Sequence, residues 1–252
     1  MHRRDRLAGR TAVVTGGSRG IGAAISKAFV AEGAAVAIVH LDDEVNARRT
    51  LESLRSVDAR CVSMSCDVTN QQQVNICLAG TRRELGGPDI LVNCAGIGVG
   101  ARFEDTTLDH WNQVLGVNLT GAYLMTRYCY PLMKERGWGR IINIASQMAF
   151  CGCVGAAAYC ASKAGLIGMT RSLALEAAPF GVLVNCIAPG ATVTDMLNQA
   201  SEEEKAALLR RIPLGRFARA EEIAPTAVLL ASEDGAFYVG QTLSPNGGDV
   251  LR

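Results

Sequence analysis

An excess of charge of either sign is missing from this 252-residue chain, in which 25 Lys and Arg stand against 24 Asp and Glu for a formal net charge of +1. No basic block is long enough to hold nucleic acid electrostatically, so that partner is excluded and a small molecule is expected instead. Long apolar runs are missing too. No window approaches the ~18 consecutive apolar residues of a membrane span. The charged start MHRRDRLAGR is not followed by a signal-peptide apolar stretch before Arg10. No membrane partner is expected, and a cytoplasmic location is. Pro/Ser-rich linkers, internal repeats and low-complexity tracts are absent as well, so one domain over 1–252 is the simplest organisation.

Cysteine is the exception to this scarcity. Nine is an odd number in a chain too large to need disulfides, and it fits buried thiols in a reducing compartment. Cys151 and Cys153 form a C-x-C without a second pair or a nearby His, so no metal site is expected. Cys160 and Cys186 read as packing residues.

Apolar residues make up 49% of the chain, ample for a buried core. Short β-branched runs, RTAVVT, AVAIVH, RCVSMS, ILVN, RIINIA, VLVNCI and QTLS, alternate with amphipathic helical segments such as IGAAISKAFVAEG, which Gly33 closes. This order predicts an α/β fold, a doubly wound parallel sheet of about seven strands with helices on both faces. The weakest periodicity lies beyond the sixth strand, from Pro189 to Glu222. Ligands of such sheets bind beyond the carboxyl ends of the strands, so segment 189–222 is expected to act as a substrate lid.

TGGSRGIG, Thr15 to Gly22, follows the first strand and opens the first helix, with Gly16, Gly20 and Gly22 spaced G-x-x-x-G-x-G. Glycines there permit a tight turn and let a pyrophosphate approach backbone N–H groups at the positive end of a helix. Strand before and helix after is the context a dinucleotide-binding turn requires. Together with NCAG at 93–96, Asn118, Ser146, YCASK at 159–163 and PG at 189–190, in this order along nearly the whole chain, the turn resembles that of the short-chain dehydrogenases/reductases.

That resemblance implies a Rossmann-type oxidoreductase that moves a hydride between NAD or NADP and a carbonyl or secondary alcohol. It assigns Gly16, Ser18, Arg19, Gly20, Ile21 and Gly22 to the cofactor phosphates and adenosine ribose, and Asp67 and Val68 to the adenine. Asn93, Ala95 and Gly96 would pass along the adenosine and ribose, with Cys94 where the family usually has a second Asn. Pro189, Gly190, Thr192 and Thr194 would hold the nicotinamide carboxamide. Tyr159 would be the acid/base, Ser146 the donor to the substrate oxygen, Lys163 the holder of the nicotinamide ribose, and Asn118 the anchor of a relay water.

Some of these assignments have a plainer alternative in the residues themselves. Asp67 could cap the helix that follows it, Asn118 could be a polar residue within a helix DHWNQVLGVNLTGAYLMTRY, and the PGATVT loop could be a simple turn. Tyr159 and Lys163 lie one helical turn apart, on one face. An ammonium there favours phenolate and is expected to lower the Tyr159 pKa toward the working range.

The choice of dinucleotide rests on opposed signals. His40 ends the second strand where NAD-preferring members carry an acid, and Arg19 matches the basic residue that NADP-preferring relatives aim at the 2′-phosphate. NADP is therefore expected, although Asp42, Asp43 and Glu44 just beyond would oppose a phosphate if one folded back; otherwise they start a solvated helix. Small residues Ala161, Ala164, Gly165 and Gly168 would let two helices approach closely, and the resemblance implies a homotetramer; packing on the chain's own sheet is the alternative. Two other functions compete: a 3-oxoacyl-acyl-carrier-protein reductase, against which Leu175 stands where such enzymes commonly carry an Arg, and a non-catalytic dinucleotide sensor, which would be expected to lose Tyr159 or Lys163. QMAFCGCVGAAA after Ser146 is apolar apart from Gln147, which suits a small neutral substrate.

Overall fold

The computed structural model describes residues 5–55, 59–98 and 100–251. The first four residues of the charged start lie outside the described residues. The chain runs β1 (Thr11–Thr15), α1 (Gly20–Ala31), β2 (Ala35–His40), α2 (Glu44–Arg55), β3 (Cys61–Ser65), α3 (Gln71–Leu85), β4 (Ile90–Asn93), α4 (Leu108–Leu115) and α5 (Gly121–Arg136). It continues through β5 (Gly139–Ile144), α6 (Met148–Cys151), α7 (Ala157–Ala177), β6 (Val182–Ile187), α8 (Asp195–Asn198), α9 (Glu202–Arg211), α10 (Ala220–Ala231) and β7 (Thr242–Leu243). All seven apolar runs form strands. They pair in parallel in the order β3-β2-β1-β4-β5-β6-β7.

Side chains alternate across each strand, so β1 sends Ala12 and Val14 to one face and Val13 to the other. The first face packs on α1, α2 and α10 through Ile25, Phe29, Leu54 and Ile223. The second packs on α3, α5 and α7 through Val74, Leu78, Met125 and Ala174. Each large side chain buried in these layers contributes roughly 1.5–3 kcal/mol. This double covering is why the strands read as continuous apolar runs.

The chain winds outward from β1 to β3, then crosses back to place β4 on the other side of β1. Strand order reverses there, which opens a crevice at the carboxyl ends of β1 and β4. Every stretch singled out for cofactor or substrate lies at this edge of the sheet.

One expected helix is divided. Residues 109–128 form α4, a π-helical turn Gly116–Thr120, and α5. The i→i+5 turn is a local widening common at functional sites, and Asn118 sits inside it. Segment 189–222 has a closed neck: Thr192 pairs with Ala218, and Val193 N–H donates to the Ala218 carbonyl at 2.8 Å. Beyond the neck, α8 and α9 bury none of their residues fully.

Candidate active site

At the carboxyl end of β1 the glycine turn is held by backbone geometry. Gly16 and Gly20 have φ of 65° and 54°, conformations that residues with a Cβ rarely adopt. A Cβ at Gly22 would lie 2.2 Å from the Gly16 carbonyl oxygen, so α1 enters directly against the turn. Ile21 packs on the core beneath. Thr15 Oγ1 accepts from the N–H groups of Cys94 and Ala95 at 3.0 Å each, which fastens the end of β4 to the turn. From the opposite side, Thr194 Cγ2 comes within 3.3 Å of where a Gly20 Cβ would stand. Thr192 Oγ1 donates to the Gly190 carbonyl at 3.0 Å, and a Cβ at Gly190 would meet Asn246 Cα at 2.7 Å. The PGATVT loop after β6 thus faces the glycine turn across the crevice. A cradle of bare backbone, open at a helix start and closed to side chains, fits an extended dinucleotide pyrophosphate.

One side chain expected along the adenosine, that of Asn93, is placed differently. Asn93 turns inward, donating to Asn143 Oδ1 at 2.7 Å and Thr126 Oγ1 at 3.0 Å. Its amide nitrogen joins β4 to its neighbours, while its Oδ1 is buried without a hydrogen-bond partner. Asp67 does not cap α3. Its Oδ1 accepts from the N–H and hydroxyl of Thr69 at 2.8 and 2.7 Å, while the cap is Asn70, which accepts from Gln72 and Gln73. Val68 is buried, and a Cβ on Gly121 would meet its Cγ2 at 2.6 Å, so α5 locks the loop carrying both residues.

The acidic cluster folds back, through one residue. Asp42 adopts φ 48°, and α2 starts at Glu44. Asp43 swings over the turn to accept from Ser18 Oγ at 2.6 Å, with its N–H 3.4 Å from His40 Nδ1. Arg19 lies between two carboxylates, Nε at 3.6 Å from Asp43 and Nη1 at 3.1 Å from Asp195 of α8. Burial pushes the Asp43 carboxyl up, but the bonds from Ser18 and Asn46 and the charge of Arg19 hold it below its ordinary range.

The reacting end sits beyond β5. Ser146 follows that strand by two residues, and its Oγ accepts from Met148 N–H at 3.2 Å. Tyr159 stands in the first turn of α7. Burial pushes its phenol above its ordinary value, and a hydrogen bond with Ser146 draws it partly back. Lys163, one turn on, is buried; its Nζ lies 5.7 Å from the Tyr159 ring centroid and donates to the Ile144 carbonyl at 2.8 Å. Burial lowers its pKa to about 8. The expected depression of the Tyr159 pKa by Lys163 is therefore corrected. Both groups are governed by desolvation, and the amine is turned to β5.

Asn118 accepts from Ile97 N–H at 2.8 Å and donates to the Ile97 carbonyl and Ser162 Oγ at 3.0 Å each. A Cβ at Gly96 would lie 3.2 Å from Asn118 Oδ1 and 3.4 Å from Lys163 Nζ. Glycine there lets the β4 loop, the π turn and α7 meet. Cys94 is half-buried close by, and desolvation pushes its thiol up to about 11. Cys186 packs against Thr170 at 3.0 Å, and Cys160 is half-buried. Among the described residues, no group of three His, Cys, Asp or Glu could hold a metal ion, and no helix is long and apolar enough to cross a membrane.

One buried contact beside Ser146 escaped the sequence reading. Gln147, noticed only as a polar residue in an apolar run, is buried beside Ser146 and donates to Asp249 Oδ2. Asp249, near the carboxyl end, carried no local signal.

A family model described as enoyl-(acyl carrier protein) reductase matches residues 16–249. The chain is 39% identical to a 3-oxoacyl-acyl-carrier-protein reductase FabG of Aquifex aeolicus over 96% of its own length and 98% of the relative's. It is 40% identical to an acetoacetyl-CoA reductase of Rhizobium meliloti, over 96% and 99% of the two chains. It is 38% identical to a D-threitol dehydrogenase of Mycolicibacterium smegmatis, over 98% and 95%. A crystal structure of a dehydrogenase/reductase from Sinorhizobium meliloti 1021 superposes with a TM-score of 0.91 at 37% identity, covering 97% of this chain and 96% of that one. Sheet order, glycine turn and full-length relatives agree that this chain is an NAD(P)-dependent oxidoreductase and belongs to the short-chain dehydrogenases/reductases.

Proposed function

We propose that the protein reduces a carbonyl, or oxidises the matching secondary alcohol, on a small neutral substrate, with Tyr159 exchanging the proton. The observation that carries this reading is the convergence of Ser146, Tyr159 and Lys163 at the end of β5, beside the crevice. The cofactor supplies or accepts the hydride. Gly16, Ser18, Gly20, Ile21 and Gly22 hold its pyrophosphate end and Pro189, Gly190, Thr192 and Thr194 its nicotinamide end, with Asp67, Val68, Ala95, Gly96 and the Asn93 backbone between. Ser146 donates to the substrate oxygen as negative charge grows there. Lys163 leaves the Ile144 carbonyl to bind the nicotinamide ribose, and Asn118 fixes the Ile97 loop for the proton path. Segment 189–222 closes over the substrate, which its thin packing beyond a fixed neck favours. The test is turnover of a panel of ketones and alcohols followed by reduced-nicotinamide absorbance. Dinucleotide binding without turnover on any member overturns the enzyme reading in favour of the sensor.

A second reading, reduction of a 3-oxoacyl thioester, is favoured by the names of two relatives. Against the carrier-protein form, Leu175 is 78% exposed on α7 and offers an acidic carrier no cation at that position. An acetoacetyl thioester belongs on the same panel.

NADP(H) is the proposed cofactor, since Arg19 stands at the turn where a 2′-phosphate would lie, and a charge-assisted contact contributes roughly 1.5–3 kcal/mol. Asp43 opposes this, so the preference is set by two charges rather than one. Arg19→Ala is expected to erode the kcat/KM ratio of NADP(H) over NAD(H) by about tenfold or more. A wild-type ratio at or below one would refute the preference and make Asp43 the determinant.

The protein is further proposed to be a cytoplasmic homotetramer. Ala161, Ala164 and Gly168 are exposed on α7 and a Cβ at Gly168 would meet nothing within 4 Å, whereas Gly165 packs against Leu119. Most of that face is thus free for a second copy. Light scattering is expected to give four times the chain mass at micromolar concentration, and a monomer mass would end the proposal. All nine thiols are free, as in a reducing compartment.

A further inference from the structure

Two thiols stand exposed on the segment that joins Ser146 to Tyr159, where the sequence predicts buried ones. Cys151 closes α6 and Cys153 follows it, while Cys160, the residue after Tyr159, is half-buried in the first turn of α7. The chain between them folds back. Gly155, at φ 73° in the third position of a tight turn, lets Ala156 N–H donate to the Cys153 carbonyl at 3.2 Å. Cys160 N–H then donates to the Ala156 carbonyl at 2.8 Å, so Cys153 is laid against the start of α7. Burial raises the Cys160 thiol above its ordinary value, the neighbouring Cys153 sulfur adds to the rise, and the Cys153 backbone N–H lies close enough to draw it partly back. Cys151 is engaged elsewhere: its Sγ lies 3.6 Å from the Gln147 carbonyl and 4.0 Å from Nη2 of Arg211 in α9.

From this folded-back pair we infer that Cys153 and Cys160 are a reversible modification site, which takes a small-molecule disulfide and closes to a Cys153–Cys160 bond. A cysteine's backbone nitrogen and its own sulfur are joined through Cα and Cβ alone. A rotation about χ1 of Cys153, off the Val154 carbonyl it faces at 3.5 Å, therefore carries its sulfur toward that of Cys160. Cys153 also lines an open cavity of about 280 Å³ with Arg102, Phe103 and Glu104, which gives the reagent room to reach it. Exposure sets the order of events. Cys153, as thiolate, attacks one sulfur of the reagent, whose S–S bond breaks, and the departing thiolate takes up a proton. Cys160 then gives up its proton and attacks the Cys153 sulfur, and the second reagent thiol leaves. Two protein thiols are oxidised and one reagent disulfide is reduced to two thiols. Closure is the slower step, because burial keeps Cys160 protonated. The closed bond acts on the chemistry through the helix start. Ala156 gives α7 no side-chain cap, so a pull on Cys160 passes to Tyr159, and a displacement of about 1 Å can lower a rate about 100-fold. That consequence rests on the proposed role of Tyr159; the bond itself does not.

The test incubates the reduced full-length enzyme with excess oxidised glutathione, blocks remaining thiols with iodoacetamide, and reads the peptide map and the turnover of the substrate panel. In wild type the map should show Cys153 joined to Cys160, with Cys151 outside the bond. The same sample should fall in kcat by about tenfold or more, and dithiothreitol should reverse both changes. Cys160→Ser removes the resolving sulfur and should hold a glutathione on Cys153. Cys153→Ser should leave Cys160 unbridged and keep its kcat through the treatment, and Cys151→Ser should behave as wild type. Closure should quicken as pH rises, since Cys160 must ionise to attack. Should Cys160→Ser fail to fold, the wild-type map and Cys153→Ser still decide. A glutathione that stays on Cys153 in wild type, a bond between Cys151 and Cys153, or an unchanged kcat once the bond has formed would overturn the inference. If no member of the panel turns over, the proposed reaction fails by itself, while a Cys153–Cys160 bond in the map still supports the modification site and its absence overturns it.

Discussion

Tyr159→Phe is expected to lower kcat by about 10²–10⁴-fold, the range for losing a positioned acid/base group, while dinucleotide affinity stays within a few-fold. The substitution keeps the ring, and with it the packing of the first turn of α7, and removes only the hydroxyl that hydrogen-bonds with Ser146. Burial raises that phenol above its ordinary value, so it holds its proton through the neutral range. As a donor in carbonyl reduction it is correctly protonated. As a base in alcohol oxidation it is not, until a charged cofactor and a reoriented Lys163 favour phenolate. Alcohol oxidation should therefore rise with pH across the alkaline range in wild type, and carbonyl reduction should not. In Tyr159→Phe both residual rates should be small and flat. Retention of more than about a third of wild-type kcat would remove Tyr159 from the mechanism.

The parts of this picture legible in the sequence are those fixed by local periodicity. Strands buried on both faces advertise themselves as apolar runs, and α1 and α3 show their stripes in Ile25 and Phe29, or Val74 and Leu78. The glycine turn is legible for a related reason, since positive φ at Gly16 and Gly20 leaves a mark in residue type. What stayed hidden depends on contacts between distant segments. Asp43 reaches Ser18 after Asp42 takes a left-handed conformation, which aspartate tolerates but which does not mark the position as glycine would. Asn70 rather than Asp67 caps α3 because Asp67 is committed to Thr69, a competition among neighbouring polar side chains that composition leaves open. Asn93 looked available to a ligand until β5 brought Asn143 beside it. Gln147 and Asp249 are 102 residues apart and meet only through the complete sheet.

The last consequence concerns Lys163, where function and stability are set against each other. Its amine is buried and titrates at about 8 in the cofactor-free protein, against an ordinary 10.5 in an unfolded chain. Between those values the unfolded state binds a proton that the folded state does not, so stability rises with pH across that window and is lost as pH falls toward 8. Lys163→Met keeps the length of the chain and removes the titration. It also removes the bond to the Ile144 carbonyl, a cost of about 1–3 kcal/mol that does not vary with pH. The two effects separate in a difference curve. From pH 7 to 9.5 the wild-type unfolding free energy should gain about 2 kcal/mol on that of Lys163→Met, at about 1.36 kcal/mol per pKa unit. Near neutral pH the variant should recover much of what the lost bond costs, yet lose activity because nothing holds the nicotinamide ribose. Saturating NADP⁺ should flatten the wild-type curve by giving the ammonium a partner, and leave the variant's unchanged in shape. Denaturant unfolding of both proteins at four or five pH values decides the matter, and parallel curves would mean that Lys163 stays charged in the empty site, with its charge already balanced by groups other than the Ile144 carbonyl.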